Sequence, residues 1–253
     1  MPHSSRVLAR LAVAALAALP AAALAHDFFL LPPADGTQAG IVATVGSIFP
    51  TPEIAITPDR VTTARGDTAA GPVDVRLGAV SGNALSVNLS GAARPAIVSL
   101  TLKPRDVEYR DDRIDLILDE YPVGISAKAA VAGLPQPRLL KVDSRRFAKT
   151  AVCAGRCTAL HDIEAHGLEL EFIAVADGRF RLIENQIPVG GHEVVIATVD
   201  GKRQHVTTDA RGEVSLPADV KGRIMLFASR MIPPTAPEGR FVLRLSSFTL
   251  DAG

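Results

Sequence analysis

The sequence predicts a mainly all-β protein, built as two β-sandwich modules with one or two short helices inserted between strands. Three observations carry this prediction. Short segments rich in Val, Ile, Leu and Thr recur along the chain. Several of them alternate apolar and polar side chains at the period of a half-buried strand. Gly, Pro, Asn and Asp punctuate them as turn formers do.

Residues 1–25 come before the first strand and read as a secretory signal. Arg6 and Arg10 give a positive start, Leu11 to Leu24 form an apolar run, and Ala23-Leu24-Ala25 is a small-x-small cleavage site. The run is shorter than the roughly 17–25 residues a membrane span needs, and no later segment is long and apolar enough to serve. Cleavage after Ala25 makes His26 the first residue of a mature, periplasmic chain with no membrane span.

The first module, 26–165, takes its strands from Ile41–Val45, Val73–Leu77, Leu85–Leu89 and Ala96–Leu102. Asp35-Gly36, Arg65-Gly66-Asp67 and Ser81-Gly82-Asn83 read as turns between them. Ile114, Ile117, Leu118 and Tyr121 then fall at helical spacing, with Asp111 or Asp112 as cap and Pro122 as stop. A second short helix is expected over Ser126 to Ala132, ended by Gly133. A boundary near 160–168 opens the second module, 166–253. Its strands are Leu168–Phe172, Val194–Val199, Gln204–Thr208, Glu213–Leu216, Ile224–Ala228 and Phe241–Leu250, and Asp200-Gly201 marks a hairpin.

Composition narrows the function. Lys and Arg together number 27 and are balanced by 27 Asp and Glu, with no basic run. Nucleic-acid binding therefore has no electrostatic support. Aromatics make up only 4% of the chain and Trp is absent, which weakens a sugar-binding surface. Gly-x-Ser-x-Gly, His-Glu-x-x-His, phosphate-loop and dinucleotide motifs are all missing, so an enzyme is not the expectation. The two cysteines, Cys153 and Cys157, stand close enough to form a small disulfide in an oxidising compartment.

A mature chain beginning with His offers its α-amine and its imidazole to one metal ion, and imidazole suits Ni, Co, Cu and Zn. The amine titrates near pH 7.7–8.0, so a metal displaces its proton around neutrality. Asp27 is adjacent, and His161 and His166 lie in a loop rich in Asp and Glu. The candidate metal ligands are thus His26, Asp27, His161 and His166. His192 and His205 rank lower, as solvent-facing strand residues.

Several segments in order resemble a family of exported bacterial proteins described as periplasmic components associated with nickel or cobalt uptake. They are Ala25-His26-Asp27-Phe28-Phe29-Leu30, the stretch Ser144 to Thr150, Gly167-Leu168-Glu169-Leu170-Glu171, Gly191-His192-Glu193-Val194, Thr208 to Gly212, and Leu245 to Leu250. The resemblance implies a transthyretin-like or Ig-like second module, a nickel or cobalt ligand and an inner-membrane metal transporter as partner. Copper is the alternative by ligand chemistry. The chain departs from the family in lacking Trp. It also reads Ser229-Arg230-Met231 where members often place a His before the Met. Two other readings stand beside this one: an exported adaptor or envelope-structural protein without metal, and a copper oxidoreductase built on the N-terminal His.

Overall fold

The structure is a computed structural model and describes residues 26–33, 40–91, 94–236 and 238–252. The signal segment 1–25 and the Asp35-Gly36 turn lie outside the described residues.

The chain enters with β1 (Asp27–Leu31), β2 (Ile41–Gly46) and the short β3 (Ile54–Ala55). Next come β4 (Val61–Thr68), β5 (Gly71–Val73), β6 (Val75–Ser81), β7 (Ala84–Leu89) and β8 (Ala96–Leu102). β9 (Arg105–Arg110) leads into α1 (Asp111–Glu120) and α2 (Ile125–Ala132), and the chain returns as β10 (Leu139–Val152). Past the cysteine loop lie β11 (Leu170–Ala176), β12 (Arg179–Glu184), β13 (Ile187–Pro188) and β14 (Glu193–Thr198). β15 (Arg203–Thr207), β16 (Glu213–Ser215), β17 (Arg223–Ile232) and β18 (Phe241–Asp251) complete it.

These strands form three sheets. A nine-stranded central sheet runs β15-β14-β17-β18-β10-β8-β4-β5, with β9 paired to the first half of β10. β1-β2-β7-β6, with β3 on β2, make a second sheet, and β11 to β13 with β16 make a third. Strands from both sides of the 160–168 boundary share the central sheet, because β10 and β18 pair in parallel from Val142↔Phe241 to Thr150↔Thr249.

Strand alternation divides the apolar side chains among three cores. Phe147, Ala151, Ile196, Leu226 and Phe248 face the third sheet, where Leu170, Phe172, Phe180 and Leu182 meet them. On the opposite face, Ala148, Val152, Val98 and Leu100 pack on Leu30, Ala43, Leu85 and Val87 of the second sheet. Further along that face, Leu140, Val142, Phe227 and Leu243 receive Ile114, Ile117, Leu118 and Val131 from the two helices. Each such Val, Leu, Ile or Phe side chain stabilises the fold by roughly 1.5–3 kcal/mol relative to exposure. The helical spacing read from the sequence is therefore the packing face of α1. The cap is not: Arg110 precedes the helix and makes no side-chain cap bond.

β1 runs along the seam between the last two cores. Phe28 and Leu30 enter one, Phe29 and Leu31 the other. β1 is also an edge strand, and its outward carbonyls need donors. Side chains from the central sheet supply them. Arg146 Nη1 donates to His26 O at 2.8 Å, Ser247 Oγ to Phe28 O at 2.7 Å, and Thr249 Oγ1 to Leu30 O at 2.5 Å.

Two readings of local structure are corrected. Arg65-Gly66-Asp67 is no turn but the interior of β4. Gly66 stands there because a Cβ would lie 2.7 Å from Val75 Cγ2 and 2.9 Å from Val73 Cγ2. The strand expected over Val73–Leu77 is broken at Asp74, which separates β5 from β6. The Asp200-Gly201 hairpin is present between β14 and β15, with Gly201 at φ 81°. The disulfide joins Cys153 to Cys157, and Gly155 between them takes φ 84°.

Ser247→Ala leaves the buried Phe28 carbonyl without its donor. We expect a loss of about 1–3 kcal/mol in urea denaturation, with the far-UV spectrum unchanged.

Candidate functional site

His26 sits where β1 begins, and the pleat decides what it meets. Successive strand residues point to opposite faces. His26 shares a face with Phe28 and Leu30, while Asp27 shares the other with Phe29 and Leu31. The imidazole is 42% exposed and its Nε2 lies 3.3 Å from Glu53 Oε2. Glu53 is itself oriented, since Ser47 Oγ donates to Glu53 Oε1 at 2.6 Å. That hydrogen bond holds Glu53 below the usual carboxylate range. Asp27 is buried instead, where Arg203 Nη1 donates to Asp27 Oδ2 at 2.8 Å. Burial raises the Asp27 pKa despite that arginine. Adjacent in sequence, His26 and Asp27 do not form a ligand pair.

The His26 imidazole opens onto a cleft of about 480 Å³ between β2–β3 of the second sheet and β8, β9 and β10 of the central sheet. Arg60, Lys103, Arg105 and Arg146 line it, with Tyr109 and Ser144; among the described residues no Asp or Glu lines it, and Glu53 meets the cleft through its contact with His26. Ser144 and Arg146 lie on β10 between Val142 of the helical core and Ala148 of the second-sheet core. The cleft therefore occupies the gap where one core ends and the next begins. No basic run in the sequence announced it, because the four cations come from separate segments.

His166 lies elsewhere, in a buried polar network under the third sheet. Lys149 and Glu171, 1% and 0% exposed as side chains, meet at 2.5 Å. Lys149 Nζ also donates to Phe172 O at 3.0 Å and lies 5.2 Å from the Phe248 ring centroid. Glu171 accepts the backbone N–H of His166 at 2.7 Å and of Leu168 at 3.1 Å. This fixes the loop that aims the His166 ring. Its Nδ1 is 2.6 Å from Ser99 Oγ and its Nε2 is 3.3 Å from Asp67 Oδ2. Arg65 in turn grips Asp67 with two hydrogen bonds and donates to His166 O at 3.2 Å.

Ser99, His166 and Asp67 thus repeat the order of a nucleophile, a base and an acid. Ser99 is only 1% exposed and the His166 side chain 0%, so no substrate reaches the hydroxyl. Burial, with Lys149 and Arg65 nearby, pushes the His166 pKa down to about 2. The ring is neutral and structural, and both its nitrogens face protein groups.

The remaining histidines are dispersed. His161 is partly exposed beside the disulfide loop, 3.8 Å from Asp162 and 3.8 Å from Asp177. His192 is buried and donates from Nε2 to Ser229 O at 2.8 Å, and burial lowers its pKa. That corrects its reading as a solvent-facing residue. His205 is exposed and paired with Glu193 at 2.8 Å. The structure does not bring His26, Asp27, His161 and His166 together. Among the described residues, no group of three or more His, Cys, Asp or Glu is placed to hold a metal.

Sequence reasoning missed a charge ladder at the rim of the central and third sheets. Arg145, Arg244 and Arg230 stand side by side in register on β10, β18 and β17. Glu169 bridges Arg145 at 2.9 Å and Arg244 at 2.7 Å, while Glu184 bridges Arg244 at 2.8 Å and Arg230 at 3.2 Å. Asp143 caps Arg145 at 2.8 Å. The available signal was the charged Asp143-Ser144-Arg145-Arg146 run preceding Glu169, which resembles a solvated loop until β18 is laid beside it.

Lys149→Met leaves Glu171 as a buried charge without its cation, and equilibrium unfolding at pH 7 should record a loss of roughly 3–5 kcal/mol. The pH profile tests His166. Its folded pKa of about 2 lies below the unfolded 6.5, so protons favour the unfolded chain as pH falls below 6.5. Moving from pH 7 to pH 5 should cost about 2 kcal/mol through this group, and His166→Gln should flatten that part of the profile. No family model, curated protein or solved structure matches this chain.

Proposed function

We propose that the chain is exported, cut after Ala25, and captures a divalent transition metal at its new N-terminus for an inner-membrane transporter. The family resemblance favours nickel or cobalt, and ligand chemistry admits copper. One observation supports this above the others: His26 Nε2 lies 3.3 Å from Glu53 Oε2.

A carboxylate that accepts the Nε2 proton fixes the tautomer and leaves the Nδ1 lone pair free. Nδ1 is the nitrogen that forms a chelate ring with the α-amine of the same residue. In this reading Glu53 is an orienting partner, and the α-amine and Nδ1 are the ligands. The Arg146 bond to His26 O holds the terminus in place, so little chain entropy opposes binding. The other candidates contribute nothing to this site, Asp27 and His166 because their side chains are buried and engaged, and His161 because it lies beside the disulfide. A copper oxidoreductase would want a second imidazole beside His26, and among the described residues His26 is the one histidine lining this cleft.

The second reading is an exported adaptor or envelope-structural protein without metal. One observation favours it: Arg60, Lys103, Arg105 and Arg146 surround the same cleft, and their field opposes a bare cation.

Calorimetric titration of Ni, Co and Cu into protein beginning at His26 separates the two readings. We expect tight binding that one extra residue before His26 abolishes, and that Glu53→Gln weakens by roughly 10–100-fold. Weak binding unchanged by the extension leaves the adaptor.

A further inference from the structure

We propose that the cleft beside His26 binds a small organic anion, with a carboxylate or phosphate-monoester head and an apolar body. The inference does not rest on metal binding.

The charges point to the head group. Lys103 and Arg105 are exposed, Arg60 and Arg146 half-buried. None of the four makes a salt bridge with a carboxylate among the described residues. Arg60 Nη2 donates to Lys103 O at 3.0 Å, and Arg146 Nη1 donates to His26 O. Asp59, on the neighbouring turn, is exposed and bonded to the Thr57 side chain, and it offsets part of the charge of Lys103 and Arg60 from a distance.

The contrast within β10 is an internal control. Arg145 and Arg146 are adjacent and face opposite sides of the sheet. Arg145 is neutralised by Asp143 and Glu169. Among the described residues Arg146 donates to a carbonyl and acts on the buried Asp27 carboxylate only from a distance. A guanidinium offers forked donors matched to carboxylate and phosphate oxygens, and Arg146 keeps part of that fork unused. Ser144 and Tyr109 line the same wall.

The apolar wall points to the body. Ile54, Ala55 and Val107 give the cleft its accessible apolar surface, with the buried Val45, Ile56 and Leu102 behind them. Ile54 is 50% exposed at its edge. A compact inorganic anion leaves this wall wet, whereas a short alkyl or ring body covers it. The volume of about 480 Å³ falls in the ordinary range of small-molecule sites.

The test uses protein beginning at His26, freed of metal on a chelating resin, and titrated by calorimetry with octanoate, octyl phosphate, inorganic phosphate and octanol. We expect octanoate or octyl phosphate to saturate one site per chain, and the stronger of the two to identify the head group. Inorganic phosphate and octanol should each bind at least tenfold more weakly than that ligand. Lys103→Glu with Arg105→Glu, both exposed and outside any salt bridge, should weaken binding at least tenfold with an unchanged unfolding curve. Three results would each overturn the proposal: no saturation by either amphiphile, an affinity unchanged in the double variant, or inorganic phosphate or octanol binding as tightly as the better amphiphile.

Discussion

Lys149 places a positive charge inside a sheet covered on both faces, and Glu171 is the group that lets it stay there. A buried cation without a partner is strongly destabilising, so the third sheet must dock with Glu171 opposite β10. The two backbone N–H groups that Glu171 accepts then shape the loop at His166 and Leu168. That loop sets His166 against Ser99 and Asp67, and Asp67 holds Arg65 on β4. One ion pair therefore registers the third sheet on β10, β8 and β4. The charge ladder at the rim repeats the same logic where water still reaches. Apolar packing alone would tolerate some sliding of one sheet over the other, whereas paired charges at fixed strand positions do not.

On the opposite face the controlling element is β1. Its alternate side chains fill two cores, and its alternate carbonyls are taken by Arg146, Ser247 and Thr249. The backbone at His26 is thereby built into the molecule. The same pleat sends Asp27 into the interior and leaves His26 at the cleft. A tether that began one residue earlier or later along β1 would exchange the two.

The elements legible in the sequence were those with one apolar face. Ala96–Leu102, Val194–Val199 and Phe241–Leu250 read as strands, and α1 read as a helix from Ile114, Ile117 and Leu118. β10 did not, although it is central, because Lys141, Asp143, Arg145, Arg146 and Lys149 make it look solvated. Apart from the Asp143–Arg145 pair within the strand, their partners are distant in sequence: Glu169 for Arg145, Glu171 for Lys149 and the His26 carbonyl for Arg146. β1 was hidden for the opposite reason: five buried residues in a row show no alternation. Of the candidate site, His26 was singled out from the sequence by the expected cleavage after Ala25. Glu53, Ser47 and the cations of the cleft were not, since only the folding of the second sheet onto β8 to β10 assembles them.

The two ligands proposed for the cleft are linked by charge. A metal at the His26 terminus adds positive charge where Arg146 already stands, so alone it binds against repulsion. An anion held by Arg146 and its neighbours lowers that repulsion. By linkage, the factor by which the anion improves metal affinity equals the factor by which the metal improves anion affinity. Salt screens exposed charges over about 8–10 Å near physiological ionic strength, and the cleft charges are only partly buried, so this coupling weakens as salt rises. The adaptor reading differs at this point: its anion binds to the same arginines but owes nothing to His26. The sensitivity of anion affinity to the state of the N-terminus is therefore the property that separates a metal carrier with a counter-ion from a protein that recognises the anion for its own sake.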